Sequence, residues 1–171
     1  MLKRLIHFNV WQLSLVLCSL LLLSSCGFQL RGAYQLPSVM QLTYVKAKAE
    51  SDLVSALKRQ LKASGVTLVD AVSDQAATLS IYNEKKQKRT VSVDSRGRAR
   101  EYTLSYQVEF ELKHSPSGFL MEQQSVKIER DFLFDTDDVL GKSKGINELY
   151  ESMQQDVIRL LLLRLQSRGD K

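Results

Sequence analysis

The densest cluster of charge in the sequence lies between residues 85 and 100, and its side chains are suited to binding phosphate or carboxylate groups. Asp94 is the one acidic residue in this segment. The basic members are Lys85, Lys86, Lys88, Arg89, Arg96, Arg98 and Arg100. Clustered cations attract anions through charge-assisted hydrogen bonds. A solvated strand edge that resists sheet aggregation accounts for the same charges equally well, so both interpretations stay open.

Two other groups of polar residues are candidates for chemistry. The acidic segment 135–138 offers oxygen ligands for calcium, but it lacks the glycine and the distal Glu of an EF-hand loop, which favours an exposed loop. His114 lies beside a Ser-Pro turn and is interpreted as an exposed turn residue without a nucleophile to activate. Neither group predicts a metal site or a catalytic site.

The first 25 residues have the composition of a secretory signal peptide. A short basic start precedes an apolar run over residues 10–23, and two small residues follow it. This run is shorter than the ~20 residues that a membrane-spanning helix needs, which favours a cleaved signal. Leu23-Ser24-Ser25-Cys26 resembles the lipobox of bacterial lipoproteins, in which cleavage precedes a Cys that becomes lipidated. We therefore expect a lipid anchor on Cys26, with an unmodified Cys in a secreted protein as the alternative.

The signal peptide also limits the functions open to the mature chain. Its removal takes Lys3 and Arg4 from 24 basic residues and leaves 22 against 19 acidic ones, a net charge of +3. One Cys and one His remain, so the sequence predicts no enzyme, no cofactor and no metal site. Export argues against a nucleic-acid partner, and no aromatic residues are interleaved with the basic cluster. Gly27, where inner-membrane lipoproteins of enterobacterial type have Asp, points by resemblance to the outer membrane.

Strand and helix patterns alternate along the rest of the chain. In order, we expect a strand at 40–45, a helix between Ser51 and Gly65, strands at 78–93, 102–112 and 126–134, and a helix over 146–168. The short apolar run 66–69 could begin a further strand. A hairpin turn is predicted at residues 94–97, where Gly97 can adopt a positive φ. Residues 135–145 are predicted to form a polar loop.

These elements predict an α+β fold with one domain over residues 38–168, preceded by a lipidated tether over residues 26–37. The expected architecture is a two-layer sandwich, in which a mostly antiparallel, mixed four-stranded sheet packs against two amphipathic helices. Strict alternation in the predicted strand at 102–112 predicts which side chains face the helices. The expected core contacts join Tyr106, Val108 and Phe110 to Leu57, Leu61, Met153 and Leu160.

Several segments together resemble one family. Residues 26–32, Cys-Gly-Phe-Gln-Leu-Arg-Gly, followed by Leu-Pro at residues 36–37, resemble the mature N-terminus of the LPS-assembly lipoprotein LptE family. Further similarity lies in Gly65 with the run 66–70, in Glu101-Tyr102, and in residues 130–134 with Lys142. The similar segments follow the family's order over nearly the whole mature chain.

The resemblance implies an outer-membrane lipoprotein that faces the periplasm and enters an LptD-type β-barrel as a plug, in about a one-to-one complex. The pair would insert lipopolysaccharide into the outer leaflet, and the family binds lipopolysaccharide through basic residues at one end of the sandwich. Lys142 and Arg96 match these family positions, and Arg98 and Lys144 are added on charge alone. The alternative function is a lipid-anchored structural adaptor for another envelope protein, without lipopolysaccharide binding.

Overall fold

The computed structural model of the chain describes residues 34–133 and 139–169. The strands are β1 (Leu42–Ala47), β2 (Thr67–Val69), β3 (Ala77–Val93), β4 (Ala99–His114) and β5 (Phe119–Leu133). The helices are α1 (Asp52–Ala63) and α2 (Val139–Gly169), and two short 3₁₀ turns cover Ser38–Met40 and Ser115–Ser117. Cys26 and the acidic segment 135–138 lie outside the described residues.

All five strands form one mixed sheet in the order β2-β1-β3-β4-β5. Strand β1 is parallel to both β2 and β3, whereas β3, β4 and β5 are antiparallel. The predicted α+β sandwich is confirmed, but the sheet has five strands where four were predicted. The additional strand is the run Thr67–Val69, which pairs with β1 because α1 provides the crossover that parallel strands require.

The sheet narrows toward the turn between β3 and β4. Pairing between β1 and β3 ends at Ala47 and Ile81, whereas β3 continues to Val93 and pairs only with β4. Only β3, β4 and β5 therefore reach the end of the sheet, which we call the hairpin end and define as residues 89–101 with 131–133. Asn83, with a φ of +43°, lies at a register shift in the pairing of β3 with β4. It is two residues beyond Ile81, the last residue of β3 that pairs with β1.

The core lies between the sheet and the two helices. Tyr106, Val108 and Phe110 are fully buried, as the alternation in β4 predicts. Their expected partners Leu57, Leu61 and Met153 are also fully buried in the same cluster. Leu160 is only partly buried, and the next two leucines of α2, Leu161 and Leu162, are fully buried beside it.

Helix α1 has the predicted ends. The Ser51 hydroxyl accepts a hydrogen bond from the Val54 N–H at 3.3 Å, and Gly65 follows the helix with a φ of +86°. Helix α2 differs from the prediction, because it begins at Val139 within the expected loop 135–145. Lys142 and Lys144 are therefore helical residues and not loop residues.

Gly145 lies where α2 closely approaches the side chain of Phe132 in β5. A Cβ placed on Gly145 would lie 2.8 Å from the Phe132 Cζ, so a larger residue there would require the Phe132 ring or the helix to shift. Extending an existing helix by about two turns costs little compared with starting one, and residues 139–145 continue α2 backward from its packed part.

Candidate functional site

A rigid turn joins β3 to β4 at the hairpin end. One carboxylate oxygen of Asp94, Oδ1, accepts hydrogen bonds from the backbone N–H groups of Arg96 and Arg98, at 2.9 and 2.8 Å. The Asp94 N–H donates to the Arg98 carbonyl at 2.7 Å, and Gly97 has the positive φ, +76°, predicted for it. The turn therefore presents the side chains of Arg96 and Arg98 from a fixed backbone.

The two arginines of this turn differ in how much of their charge is available to a ligand. The Arg98 Nε donates to Asp94 Oδ2 at 2.7 Å, and the backbone hydrogen bond from Arg98 is the main cause that lowers the pKa of the Asp94 carboxyl. Arg96 is exposed, and within the described residues no hydrogen bond or ion pair engages its guanidinium. Arg96 is thus the cation of the turn best placed to meet an anion.

Helix α2 runs antiparallel to β5, from the hairpin end toward the start of that strand. Gly145 near the beginning of the helix lies against Phe132, one residue before the end of β5. Near the other end of the helix, an Arg164 guanidinium nitrogen donates to the Ser125 carbonyl at 2.6 Å. The first turns of α2 therefore lie at the hairpin end.

This direction brings Lys142 and Lys144 to the end of the sheet that also holds Arg96. The Lys144 side chain is 80% exposed, and its ammonium lies 3.8 Å from a Glu148 carboxylate oxygen one turn along the helix. Such an exposed pair leaves most of the positive charge available. Lys142 has helical backbone, and its side chain lies outside the described residues. The backbone of all four predicted residues therefore lies at one end of the sheet, in a turn and a helix instead of in two loops.

Two lysines of the basic cluster lie against aromatic rings. The Lys86 ammonium lies 5.0 Å from the centre of the Tyr106 ring and 5.8 Å from that of Tyr150, and the Lys88 ammonium lies 4.9 Å from that of Tyr102. These cation–π contacts stabilise the positions of the two lysine side chains. The sequence did not reveal these contacts, because the meeting of Lys86 with Tyr106 depends on the register between β3 and β4.

A polar network that the sequence did not reveal joins both helices to the sheet. The Glu84 carboxylate accepts hydrogen bonds from the hydroxyls of Tyr106, at 2.6 Å, and Ser51, at 2.5 Å. The Tyr106 hydroxyl also lies 3.4 Å from the Gln154 side chain of α2. Burial, followed by the hydrogen bond to Glu84, raises the pKa of Tyr106 well above its ordinary value. This network positions α1 and α2 on the sheet.

The structure gives no support for a catalytic site in the described residues. Among them, no three His, Cys, Asp or Glu side chains are grouped so that they could hold a metal ion. The His114 Nδ1 lies 2.6 Å from the Ser117 hydroxyl within its own turn. Residues 141–145 match the pattern Gly-X-Ser-X-Gly, but they lie inside α2 and not at the strand-to-helix turn that exposes a serine nucleophile.

A groove of about 580 Å³ opens at the carboxyl ends of β1 and β2. Lys58 and Glu50 line it and form an ion pair at 2.7 Å, and the exposed side chain of Lys62 lies beside them.

No helix within residues 34–133 and 139–169 is both long and apolar enough to cross a membrane.

Comparison with known proteins agrees with the resemblance drawn from the sequence. The family model described as "LptE: Lipopolysaccharide-assembly" matches residues 35–165. The chain is 26% identical over 148 residues to the LPS-assembly lipoprotein LptE of Photorhabdus laumondii subsp. laumondii, which covers 86% of this chain and 80% of that relative.

Two solved structures have a similar fold. The solution structure of an uncharacterized lipoprotein B from Nitrosomonas europaea superposes with a TM-score of 0.69 at 27% identity, covering 84% of this chain and 93% of that one. The crystal structure of the rare lipoprotein B from Shewanella oneidensis gives a TM-score of 0.65 at 25% identity, covering 75% of this chain and 97% of the other.

Proposed function

The chain belongs to the LptE lipopolysaccharide-assembly family, and we propose that it is the lipid-anchored subunit of an outer-membrane lipopolysaccharide translocon. In this proposal, residues 1–25 are cleaved, Cys26 carries the lipid, and residues 26–37 connect it to the domain. The domain faces the periplasm, lies inside an LptD-type β-barrel, assists assembly of that barrel and binds lipopolysaccharide for insertion into the outer leaflet.

The grouping of cations at the hairpin end is the structural observation that supports the proposal. Arg96 projects from a turn whose backbone is fixed by Asp94, and the exposed Lys144 lies in the first turns of α2, which starts at the same end. Lipid A and the inner-core sugars carry several phosphates and carboxylates. A multivalent anion gains more from several cations placed together than from isolated exposed pairs, which contribute ~0–1 kcal/mol each.

Charge reversal tests the site. We expect Arg96→Glu/Lys142→Glu to weaken lipopolysaccharide binding, and added salt to weaken it in the parent protein. The matched control is Arg59→Glu/Lys62→Glu, which makes the same change of charge at two exposed positions of α1. Both variants should keep the parent's far-ultraviolet circular dichroism spectrum. If the first variant is folded and binds like the parent, the cations are only a solvated rim, and the adaptor function is favoured.

Purification tests the partner and the anchor separately. From detergent-solubilised outer membrane, we expect the chain to bring along a large β-barrel protein in about a one-to-one ratio, since a closed barrel encloses one plug. Intact-mass analysis of the same material should show the loss of residues 1–25 and the gain of acyl chains on Cys26. Isolation without a barrel, or with an unmodified Cys26, would contradict the corresponding part of the proposal.

A further inference from the structure

The far half of β3 has one open edge. Strand β1 pairs with β3 only as far as Ala47 and Ile81, whereas β4 pairs with β3 as far as Val93. Within residues 34–133 and 139–169, no strand pairs with residues 85–90 on the side away from β4. We call residues 85–90 the open edge. Along it, every second residue turns its backbone N–H and C=O groups away from β4, toward the position of a further strand.

The helices do not cover this part of the strand. Nine consecutive residues, 83–91, are exposed, although alternate side chains of a strand point to opposite faces of the sheet. The chain beyond β1 turns into α1, and the Ser51 hydroxyl donates to the Glu84 carboxylate at 2.5 Å just before the open edge begins. A strand added at the open edge would therefore lie in line with β1, beginning where Ser51 meets Glu84.

Both faces of the open edge are basic. Lys86 and Lys88 lie on the face that bears the helices, opposite buried residues of β4. Lys85 and Arg89 lie on the other face, and within the described part of the chain neither of them forms an ion pair. Opposite charges on neighbouring strands stabilise a sheet and like charges destabilise it. A strand with Asp or Glu on both of its faces is therefore complementary to the open edge.

Two of these cations are already ordered. The ammonium groups of Lys86 and Lys88 lie 4.9 to 5.8 Å from the centres of tyrosine rings. Between them, the Tyr150 hydroxyl donates to the Gln87 carbonyl at 2.7 Å, and this carbonyl keeps a second lone pair for another donor. Side chains that are ordered before binding lose less entropy on binding. Lysines that served only to repel other strands would not need this order.

We propose that the open edge binds an acidic, extended segment of a partner protein as an additional strand. The backbone of the segment pairs with β3, and its carboxylates lie beside Lys86 and Lys88 on one face and beside Lys85 and Arg89 on the other. This inference goes beyond the proposed function, because it concerns a protein segment and a surface other than the hairpin turn. It does not depend on whether the hairpin end binds lipopolysaccharide.

The first test compares two synthetic peptides for binding to the full-length protein by fluorescence anisotropy. One is a labelled nine-residue peptide of Glu, Thr and Val, with Glu on both faces of its extended form. The other has the same sequence with N-methyl groups on its four central amides, so it keeps the charge and loses the N–H donors of a strand. We expect the methylated peptide to bind about tenfold more weakly. Equal affinity would show that charge alone holds the peptide and would overturn the inference.

Charge reversal locates the binding surface. We expect Lys85→Glu/Arg89→Glu to bind the unmodified peptide about tenfold more weakly, because it places like charges side by side on one face. The matched control is Lys62→Glu/Lys127→Glu, which makes the same change of net charge at exposed positions of α1 and β5. At about 0.15 M salt, where the Debye length is about 8 Å, the control should bind like the parent. Equal weakening in the two variants, with unchanged circular dichroism, would mean that the peptide responds only to net charge.

Amide hydrogen exchange provides a measurement that needs no substitution. When the unmodified peptide binds, every second amide of residues 85–90 should exchange more slowly, because the amides between them are already bonded to β4. Amides of β5 should exchange as before. Unchanged exchange along the open edge, or no binding of the peptide below about 1 mM, would overturn the inference in favour of an edge that is only solvated. This measurement decides the question even if Lys85→Glu/Arg89→Glu does not fold.

Discussion

Replacing Leu162 and Leu163 by Ala, one at a time, tests how α2 is seated on the sheet. The two residues are adjacent in the same helix, so the substitution has the same effect on helix propensity at both. Leu162 is fully buried, whereas Leu163 is 44% exposed. Neighbouring positions of a helix point about 100° apart, so this difference depends directly on the rotation of α2 about its axis.

The expected costs follow from burial. Leu162→Ala removes three buried carbons at about 0.8 kcal/mol each and leaves a cavity, so we expect a loss of about 3–4 kcal/mol in the free energy of unfolding. Leu163→Ala removes the same carbons from a surface position where no enclosed cavity forms, and its expected cost is about 1 kcal/mol. The difference of about 2–3 kcal/mol exceeds the uncertainty of a mutational comparison.

Urea unfolding followed by far-ultraviolet circular dichroism measures both costs. The midpoint should fall clearly for Leu162→Ala and only slightly for Leu163→Ala, with an unchanged slope. Equal shifts, or a larger shift for Leu163→Ala, would show that α2 is rotated from the orientation described here. The assignment of Ile158 and Leu165 to the core would then be wrong as well, because they lie one turn from Leu162 on the same face of the helix.

Three further predictions concern the sheet and its contacts. Phe110→Ala should cost about 3–5 kcal/mol in urea unfolding, and a loss within about 0.5 kcal/mol would mean that the faces of β4 are reversed. Because the folded protein holds the Tyr106 proton at pH values where the unfolded chain releases it, stability should fall as the pH rises above about 10. In Tyr106→Phe, urea midpoints measured across this range should fall less. Gly145→Ala should destabilise the parent protein through its clash with Phe132. In a Phe132→Ala background the same change should stabilise by about 1 kcal/mol, the ordinary helix preference of Ala over Gly.

Features set by neighbouring residues could be predicted from the sequence. The turn at residues 94–98 follows from local chemistry, because an Asp side chain accepts hydrogen bonds from N–H groups just beyond it and Gly97 tolerates a positive φ. The alternation in β4 identifies its buried face for the same reason, since period two belongs to the strand itself. The resemblance to the LptE family also rested on short segments, and the family match confirms it.

Features set by distant residues could not be predicted. The early part of α2 includes Gly145, which lies against the Phe132 ring of β5, and no pattern within residues 135–145 contains that contact. The Glu84 network requires the bulge at Asn83, which changes the register of β3 and β4 before Glu84 meets Tyr106 and Ser51. The third case is the short strand β2, which the sequence left open as a possible strand. Its three residues become a strand only by pairing with β1.

The narrowing of the sheet divides the molecule into regions of unequal local stability. Up to Ile81, β3 has hydrogen-bonded strands on both sides, and opening it there requires disruption of the buried core. Beyond that residue only β4 supports it, and Val91 and Val93 bury little apolar area. Backbone amides near Leu79 should therefore exchange with solvent only through global unfolding, whereas those near Val93 should exchange through local opening.

This gradient has a consequence for ligand binding. If the hairpin end binds a ligand as proposed, local opening lets its three strands adjust to that ligand while the core keeps its structure. Each such adjustment requires ordering of the hairpin end, and the cost of ordering reduces the affinity by the corresponding factor. Release of the ligand restores the mobility of the hairpin end. The same gradient in local stability that limits the affinity therefore also raises the dissociation rate.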